Sequence, residues 1–221
     1  MDDKQLAGIR AASYVRSGMV VGLGTGSTAN HFLHELGRRV REERLEVQVV
    51  ASSFPTAFLA RELGLSLLGI DQVARLDLYA DGADEVTPAR DLLKGRGFDL
   101  VKEKILARAS DRFVVFVDAS KLVERLGSRF PIPVEVLPFA VHTVRRHLEG
   151  LGGRAVVRRN GDAVVITAQG NLVLDTVFDP EVEVVALDER LRSLPGVAEH
   201  GIFRDLASLV LVAKDGTVTE R

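Results

Sequence analysis

Short unbroken apolar runs alternate with longer stretches whose apolar positions recur every three or four residues through the first half of the chain. The runs at 19–23, 47–51, 66–69, 76–80 and 113–117 have the length of strands buried on both faces. Between them, residues 4–17, 29–44, 56–63 and 100–109 read as helices. In 29–44, Phe32, Leu33, Leu36 and Val40 fall on one face at helical spacing. Gly64 stands where a helix over 56–63 needs a residue that tolerates the left-handed conformation. Strand–helix alternation of this kind predicts an α/β fold, a mostly parallel sheet flanked by helices.

The rhythm changes at Phe130-Pro131-Ile132-Pro133, a sequence that disfavours helix and suits a crossing between domains. Beyond it the pattern predicts a strand at 134–137, a helix at 139–151, and strands at 154–158 and 164–167 around the Asn160-Gly161 turn. A strand at Leu172–Phe178, a helix at 183–194 ended by Pro195-Gly196, and a strand at 197–203 follow. That order approximates a smaller ferredoxin-like α+β domain. A last strand at 208–213 is expected to return to the first sheet. The expected division is therefore 1–130 with 204–221 as one domain and 131–203 as the other.

Composition narrows the chemistry. The 221 residues include 29 Lys and Arg against 31 Asp and Glu, a net charge of −2 that leaves no basic excess for gripping nucleic acid. With 46% hydrophobic and 27% charged residues, the chain resembles packed domains rather than disordered ones. The absence of cysteine removes disulfides, thiol catalysis and thiolate metal sites. The start, Met1-Asp2-Asp3-Lys4, is acidic with no apolar segment behind it, and no apolar run approaches the roughly 20 residues of a membrane helix. A cytoplasmic location is the expectation.

Four segments carry candidate chemistry. Gly22-Leu23-Gly24-Thr25-Gly26-Ser27-Thr28 joins a strand to a helix, where glycines let backbone approach a ligand and free amides attract an anion. Its hydroxyls favour phosphate over a plain capped turn. No Lys follows as in a P-loop. The G/A form of the dinucleotide fingerprint fits from Gly24 to Ala29, but the next strand ends in Ala51-Ser52-Ser53, with no acid for a ribose hydroxyl. Asp81-Gly82-Ala83-Asp84-Glu85 places three acids after a strand, open to reading as a solvated loop, a functional cluster or a Mg²⁺ site. Lys94-Gly95-Arg96-Gly97 offers cations on a glycine loop ahead of Glu103, which taken alone is an ordinary charged helix position. Asp118-Ala119-Ser120-Lys121 follows another strand. The glycine turn, the acids and Lys121 share the carboxyl edge of the expected sheet, where open α/β sheets bind ligands. His31 and His34 lie one turn apart without a zinc-protease motif, and no serine stands in a nucleophile elbow.

These segments, taken in order, resemble ribose-5-phosphate isomerase, type A. Gly24-Thr-Gly-Ser-Thr-Ala29, Asp81-Gly-Ala-Asp-Glu85, Lys94-Gly-x-Gly, Glu103-Lys104-Ile105 and Asp118-Ala-Ser-Lys121 carry the likeness. So do Phe130-Pro-x-Pro-Val-Glu-Val-x-Pro138 and Pro195-Gly-Val-x-x-x-Gly-x-Phe203. The resemblance implies interconversion of D-ribose 5-phosphate and D-ribulose 5-phosphate without cofactor or metal, by a homodimer or homotetramer. It implies that Thr25, Gly26, Ser27 and Thr28 contact substrate near its phosphate. Asp81 and Asp84, with Gly82 and Ala83 between them, would hold and polarise sugar hydroxyls. Lys94, with Gly95, Arg96 and Gly97, would stabilise developing charge. Glu103 would accept the proton, Lys121 would bind substrate, and Lys4 is loosely matched to a phosphate-reaching lysine. One departure stands out: Arg96, Phe98 and Asp99 occupy a stretch that the family commonly fills with glycine and alanine.

The chemistry is consistent with this set. Moving a carbonyl between neighbouring carbons needs one group to carry a proton and donors for the enediolate oxygen, and no redox centre. Two competing readings are a sugar-phosphate sensor without catalysis and a CoA- or acyl-transferring relative of the same architecture. No helix-turn-helix precedes residue 19 to support the first, and no CoA site supports the second.

Overall fold

The computed structural model describes residues 2–221. Helix α1 (Asp3–Ala12) starts on Asp2, whose carboxylate accepts from the Gln5 amide at 2.8 Å, and leads to strand β1 (Val20–Leu23). It ends earlier than the expected 17, before Gly18 turns the chain with a φ of 88°. Helix α2 (Ser27–Glu42) buries Ala29, Phe32, Leu33 and Leu36, the apolar stripe of the sequence. Strand β2 (Gln48–Ala51) precedes α3 (Phe54–Glu62), which Ser53 caps by accepting from the Thr56 amide at 3.2 Å. Then come β3 (Ser66–Leu68), β4 (Leu78–Asp81), the two-residue strands β5 (Glu85–Val86) and β6 (Leu92–Leu93), α4 (Leu100–Ala109) and β7 (Phe113–Asp118). The chain continues through β8 (Ile132–Val136), α5 (Val141–Gly150), β9 (Gly153–Val157), β10 (Arg159–Asn160), β11 (Ala163–Val164), β12 (Leu172–Phe178), α6 (Val184–Ser193), β13 (Val197–His200), β14 (Ile202–Phe203), β15 (Leu209–Lys214) and β16 (Thr217–Glu220).

Two compact units form. The first comprises Met1–Ala83, Lys102–Leu122 and Arg204–Arg221; the second comprises Asp84–Val101 and Val123–Phe203. The second unit thus takes in 84–101 and 123–130, which the sequence pattern had grouped with the first.

In the first unit the sheet order is β16-β15-β7-β4-β1-β2-β3, parallel throughout except for β16 at the edge. The chain enters at β1, builds outward to β3, then returns to β4 on the other side of β1. The direction of winding therefore reverses between β1 and β4, the place where open α/β sheets leave a crevice at their carboxyl edge. Val21, Leu23, Leu78, Ala80 and Phe116 pack with Ala7 and Ala11 of α1 and with Phe32 and Leu36 of α2. Asp81 is the last residue of β4, paired with Val115, rather than the first residue beyond it.

In the second unit β13-β8-β12-β9 form an antiparallel sheet, the strand order of a ferredoxin-like βαββαβ unit. Val134, Val136, Val144, Leu148, Leu174, Leu187 and Leu191 make its core. Pro133 lies inside β8 rather than in a linker, and its carbonyl accepts from the Gly201 amide at 2.8 Å. The expected strand 197–203 breaks at Gly201, so that β13 joins the four-stranded sheet and β14 joins β6 and β5. A Cβ on Gly201 would stand 2.3 Å from the Lys94 carbonyl oxygen, so only glycine fits.

Glu85 explains part of the boundary. It is fully buried, and its carboxylate accepts from the amides of Gly127 at 2.6 Å, Arg129 at 2.7 Å and Phe130 at 3.0 Å. It is a strut for the 127–130 turn. Glu85→Ala should leave those amides without their acceptor and cost about 2–4 kcal/mol of stability. A lower urea midpoint at unchanged slope is the expected reading; a midpoint matching the parent protein would contradict the role.

Candidate active site

The first unit builds its site around one carboxylate. Asp81 is fully buried; its Oδ1 accepts from the Gly82 amide at 2.7 Å and the Thr25 amide at 3.2 Å. A Cβ on Gly24 would lie 2.0 Å from that oxygen, so the turn after β1 must be glycine for Asp81 to sit there. Oδ2 accepts from the Tyr79 hydroxyl at 2.5 Å. Tyr79 and Asp81 are two residues apart and share a face of β4. Across the ladder, Gly22 pairs with Tyr79 and makes room for its ring, since a Cβ would come within 2.7 Å of it. Burial, followed by the negative charges of Asp81 and Glu103, pushes the Tyr79 phenol well above 10. Tyr79 therefore stays protonated and donates.

Glu103 is 3% exposed and lies in the first turn of α4, where the helix end favours a negative charge. Its carboxylate is near enough to the Tyr79 phenol to oppose ionisation. The Tyr79 hydroxyl is thus hydrogen-bonded to Asp81 and feels the charge of Glu103, at the point where the sheet reverses.

The glycine turn is tied from the other side by hydroxyls. Thr25 Oγ1 lies 2.8 Å from Ser52 Oγ and from Ser53 Oγ, and 3.1 Å from Thr56 Oγ1, which donates to the Gly24 carbonyl at 3.0 Å. Thr25 is therefore a knot in the turn. Gly26, with a φ of 111°, caps α2 without a side chain, and Ser27 is exposed beside half-buried Thr28. Their amides open the helix at its anion-attracting end. A methyl on Gly82 would reach 4.0 Å from Thr28 Cβ and 3.8 Å from the Phe116 carbonyl, placing Gly82 between the turn and β7. At the end of β7, burial alone would raise the Asp118 carboxyl, but hydrogen bonds from Ser120 and the charges of Lys121 and Lys4 hold it below its ordinary range. The charges of both lysines thus act on the same strand end. Among the described residues no three His, Asp or Glu side chains are grouped as a metal site.

In the second unit, the Asp84 amide donates to the Leu93 carbonyl at 2.8 Å, and its Oδ2 accepts from the Arg96 amide at 3.4 Å. Lys94 is 4% exposed, its amide donates to Gly201 at 2.9 Å, and its Nζ lies 5.8 Å from the centre of the Phe203 ring. These contacts account for the Gly-x-Phe203 spacing. Gly95 has a φ of 100° and packs on Leu100 and Pro133, leaving no room for a side chain. The exposed Arg96 stacks its guanidinium 4.0 Å from the Phe130 ring centre, and Gly97 is exposed beside it. The Glu135 carboxyl of the Pro-Val-Glu-Val segment is pushed up by burial, while Thr167 and Asn171 donate to it at 2.8 and 3.0 Å.

Sequence reasoning did not single out Tyr79, Ser52, Ser53 or Thr56. Tyr79 reads as one more residue of an apolar run, and its two-residue spacing from Asp81 is the available signal. Ser52 and Ser53 entered only as the place where a ribose-binding acid is absent.

The family model for ribose 5-phosphate isomerase A (phosphoriboisomerase A) matches residues 48–217. The chain is 46% identical over 214 residues to ribose-5-phosphate isomerase A of Thermosynechococcus vestitus, covering 96% of this chain and 91% of that one. It is 45% identical to the Methanothermobacter thermautotrophicus enzyme, covering 96% and 93%. The solved ribose 5-phosphate isomerase A of Methanocaldococcus jannaschii superposes with a TM-score of 0.94 at 40% identity, over 100% of this chain and 98% of that one. A D-ribose-5-phosphate isomerase in complex with phospho-erythronic acid superposes with a TM-score of 0.95 at 34% identity, over 100% and 99%.

The chain has two tyrosines, and both phenols are raised above 10: Tyr79 as described, and Tyr14 by burial and its hydrogen bond to Glu220. A raised phenol adds stability that is complete below the unfolded value of about 10 and is lost as pH climbs through the folded value. Ultraviolet titration of a Tyr14→Phe variant, which leaves Tyr79 to report, should show little phenolate in the native protein at pH 10, then ionisation together with unfolding. Half-ionisation of a tyrosine at pH 10 in folded protein would contradict the buried donor.

Proposed function

The chain belongs to the ribose 5-phosphate isomerase A family and isomerises D-ribose 5-phosphate and D-ribulose 5-phosphate, and we propose that Glu103 is the group that moves the proton. The observation that supports this most is a buried Glu103 carboxylate whose charge bears on the Tyr79 phenol, itself hydrogen-bonded to Asp81 at the reversal point of the parallel sheet. A base has to be held near the reacting carbon and shielded from water, and a carboxylate in the first turn of a helix is both fixed and tolerated there.

In this reading Glu103 takes the C2 proton of the open-chain aldose. The C–H electron pair becomes the C1–C2 double bond, and the carbonyl oxygen takes the negative charge. The C2 hydroxyl proton passes to the C1 oxygen, the electron pair left on the C2 oxygen closes the ketone, and the C1–C2 double-bond pair takes the carried proton back from Glu103 at C1. Atoms and electrons balance without an outside oxidant. Asp81, fixed by two amides and the Tyr79 hydroxyl, is assigned to hold a substrate hydroxyl and assist ring opening. The phosphate is assigned to the start of α2, at Gly26, Ser27 and Thr28, with Lys121 as a cation. Thr25 serves by fixing that turn. From the second unit, Asp84 is assigned to a sugar hydroxyl and Lys94 to the developing oxyanion, as the family resemblance implies. The same reading includes action without metal or cofactor, a homodimer or homotetramer, and a cytoplasmic setting. No helix of the described residues is long and apolar enough to cross a membrane. The phospho-erythronic acid bound to a relative is an aldonic acid phosphate, which pairs a planar anionic carboxylate with a phosphate. That chemistry suits a pocket built for an enediolate phosphate.

Glu103→Gln should keep the fold and the KM for ribose 5-phosphate to within about threefold while kcat falls by roughly 10²–10⁴. Thr28→Ala should chiefly raise KM, because it touches the non-reacting end. Both are measured as ketose formation with EDTA present, which should leave the parent rate unchanged. Full turnover by Glu103→Gln would end the assignment.

A further inference from the structure

We propose that Arg158 is a positioning residue for the Lys94 loop, holding the backbone that aims the Lys94 ammonium; the proposal rests on the oxyanion role given to Lys94. Arg158 follows β9, and its main chain is tied on both sides. Its amide donates to the Val173 carbonyl at 2.8 Å, and its carbonyl accepts from the Val165 amide at 3.0 Å. The side chain is only 10% exposed. Its guanidinium forks onto Asp175 of β12, with Nε 2.8 Å from Oδ2 and Nη2 2.5 Å from Oδ1. That leaves Nη1 to donate to the Gly95 carbonyl at 2.8 Å. The guanidinium carbon also lies 5.5 Å from the centre of the Phe98 ring. One side chain, braced on a central strand, therefore touches the loop at Gly95 and again at Phe98.

The loop has reason to need this. Gly95 has a φ of 100° and Phe98 a φ of 72°, so two of its residues sit in the left-handed region, which Phe98 does not favour by itself. The Lys94 amide is held by the Gly201 carbonyl at 2.9 Å, and the Gly95 carbonyl, one peptide beyond that of Lys94, is held by Arg158. Lys94 thus hangs between two fixed peptide groups. Removing one would let its ammonium drift, and misplacing a charged group by about an ångström costs up to ~10²-fold in rate. A lysine at 158 keeps the charge but cannot fork onto a carboxylate and reach the carbonyl together. Phe98 also gains an account: it stands where the family commonly has a small residue, and here its ring meets the Arg158 guanidinium.

The test is steady-state kinetics with ribose 5-phosphate on the full-length parent, Lys94→Ala, Arg158→Ala and the double variant, with melting temperatures alongside. Lys94→Ala should lower kcat, which checks the underlying reading separately. Arg158→Ala should lower kcat about tenfold or more, with KM moved by less than about threefold. On the Lys94→Ala background the same change should cost less than about twofold, because the loop then has nothing to aim. Arg158→Lys and Asp175→Asn, which keep most of the packing, should show smaller losses of the same kind and serve if the alanine variant does not fold. Parent-like kcat in those two conservative variants overturns the proposal. So does an Arg158→Ala loss of equal factor on both backgrounds, which would mark a merely structural residue. Parent-like kcat in Lys94→Ala overturns the role of Lys94 and this proposal with it.

Discussion

A buried carboxylate is costly unless every oxygen is met by a donor, and in the first unit that requirement governs the layout. Asp81 sits at the end of β4 with no exposure, and its oxygens are met by Gly82, Thr25 and Tyr79. Each donor imposes something further. The Thr25 amide reaches Asp81 only because Gly24 has no side chain, and the Tyr79 ring fits only because Gly22 has none. The phenol must stay protonated, which burial and two carboxylates ensure. A glycine-rich turn that looks like a phosphate cradle is, from this side, a mould for an aspartate.

The second unit solves a different problem, that of holding a cation-bearing loop whose backbone does not settle by local preference. Gly201 grips Lys94 through the main chain, Phe203 lies beside its ammonium, and Glu85 fixes the 127–130 turn whose Phe130 carries the Arg96 stack. These contacts depend on residues distant in sequence. The Pro195–Phe203 and Phe130–Pro138 segments, with no evident chemistry of their own, thus supply the supports of the Lys94 loop.

Much of the layout was legible because burial imposes periods that survive in sequence. Phe32, Leu33 and Leu36 mark α2, and the doubly buried strands read as continuous apolar runs. The ferredoxin-like order followed from the same signals. Strands β5 and β6 were not legible, since two residues carry no period, and β14 was legible only as the end of a single strand with β13. Pro133 misled because a proline in a strand is a rare exception, here placed where its carbonyl rather than its missing N–H is used. For the site, the acids, the glycines and the lysines were visible as types. What each acid does was not: Asp81 and Glu85 look alike in sequence, yet one faces the turn of a candidate site and the other props a loop. The hydroxyl knot of Thr25, Ser52, Ser53 and Thr56 joins positions about thirty residues apart, which only the parallel crossover brings together.

The proposed function seats a sugar phosphate at the reversal point of the sheet with its reacting carbons against Glu103. A crystal structure of this protein with an aldonic acid phosphate bound measures that directly. The phosphate should lie at the start of α2, and a Glu103 carboxylate oxygen should stand about 3–3.5 Å from the carbons that correspond to C1 and C2. A ligand bound elsewhere, or one seated at the turn with Glu103 far from its reacting end, would contradict the account.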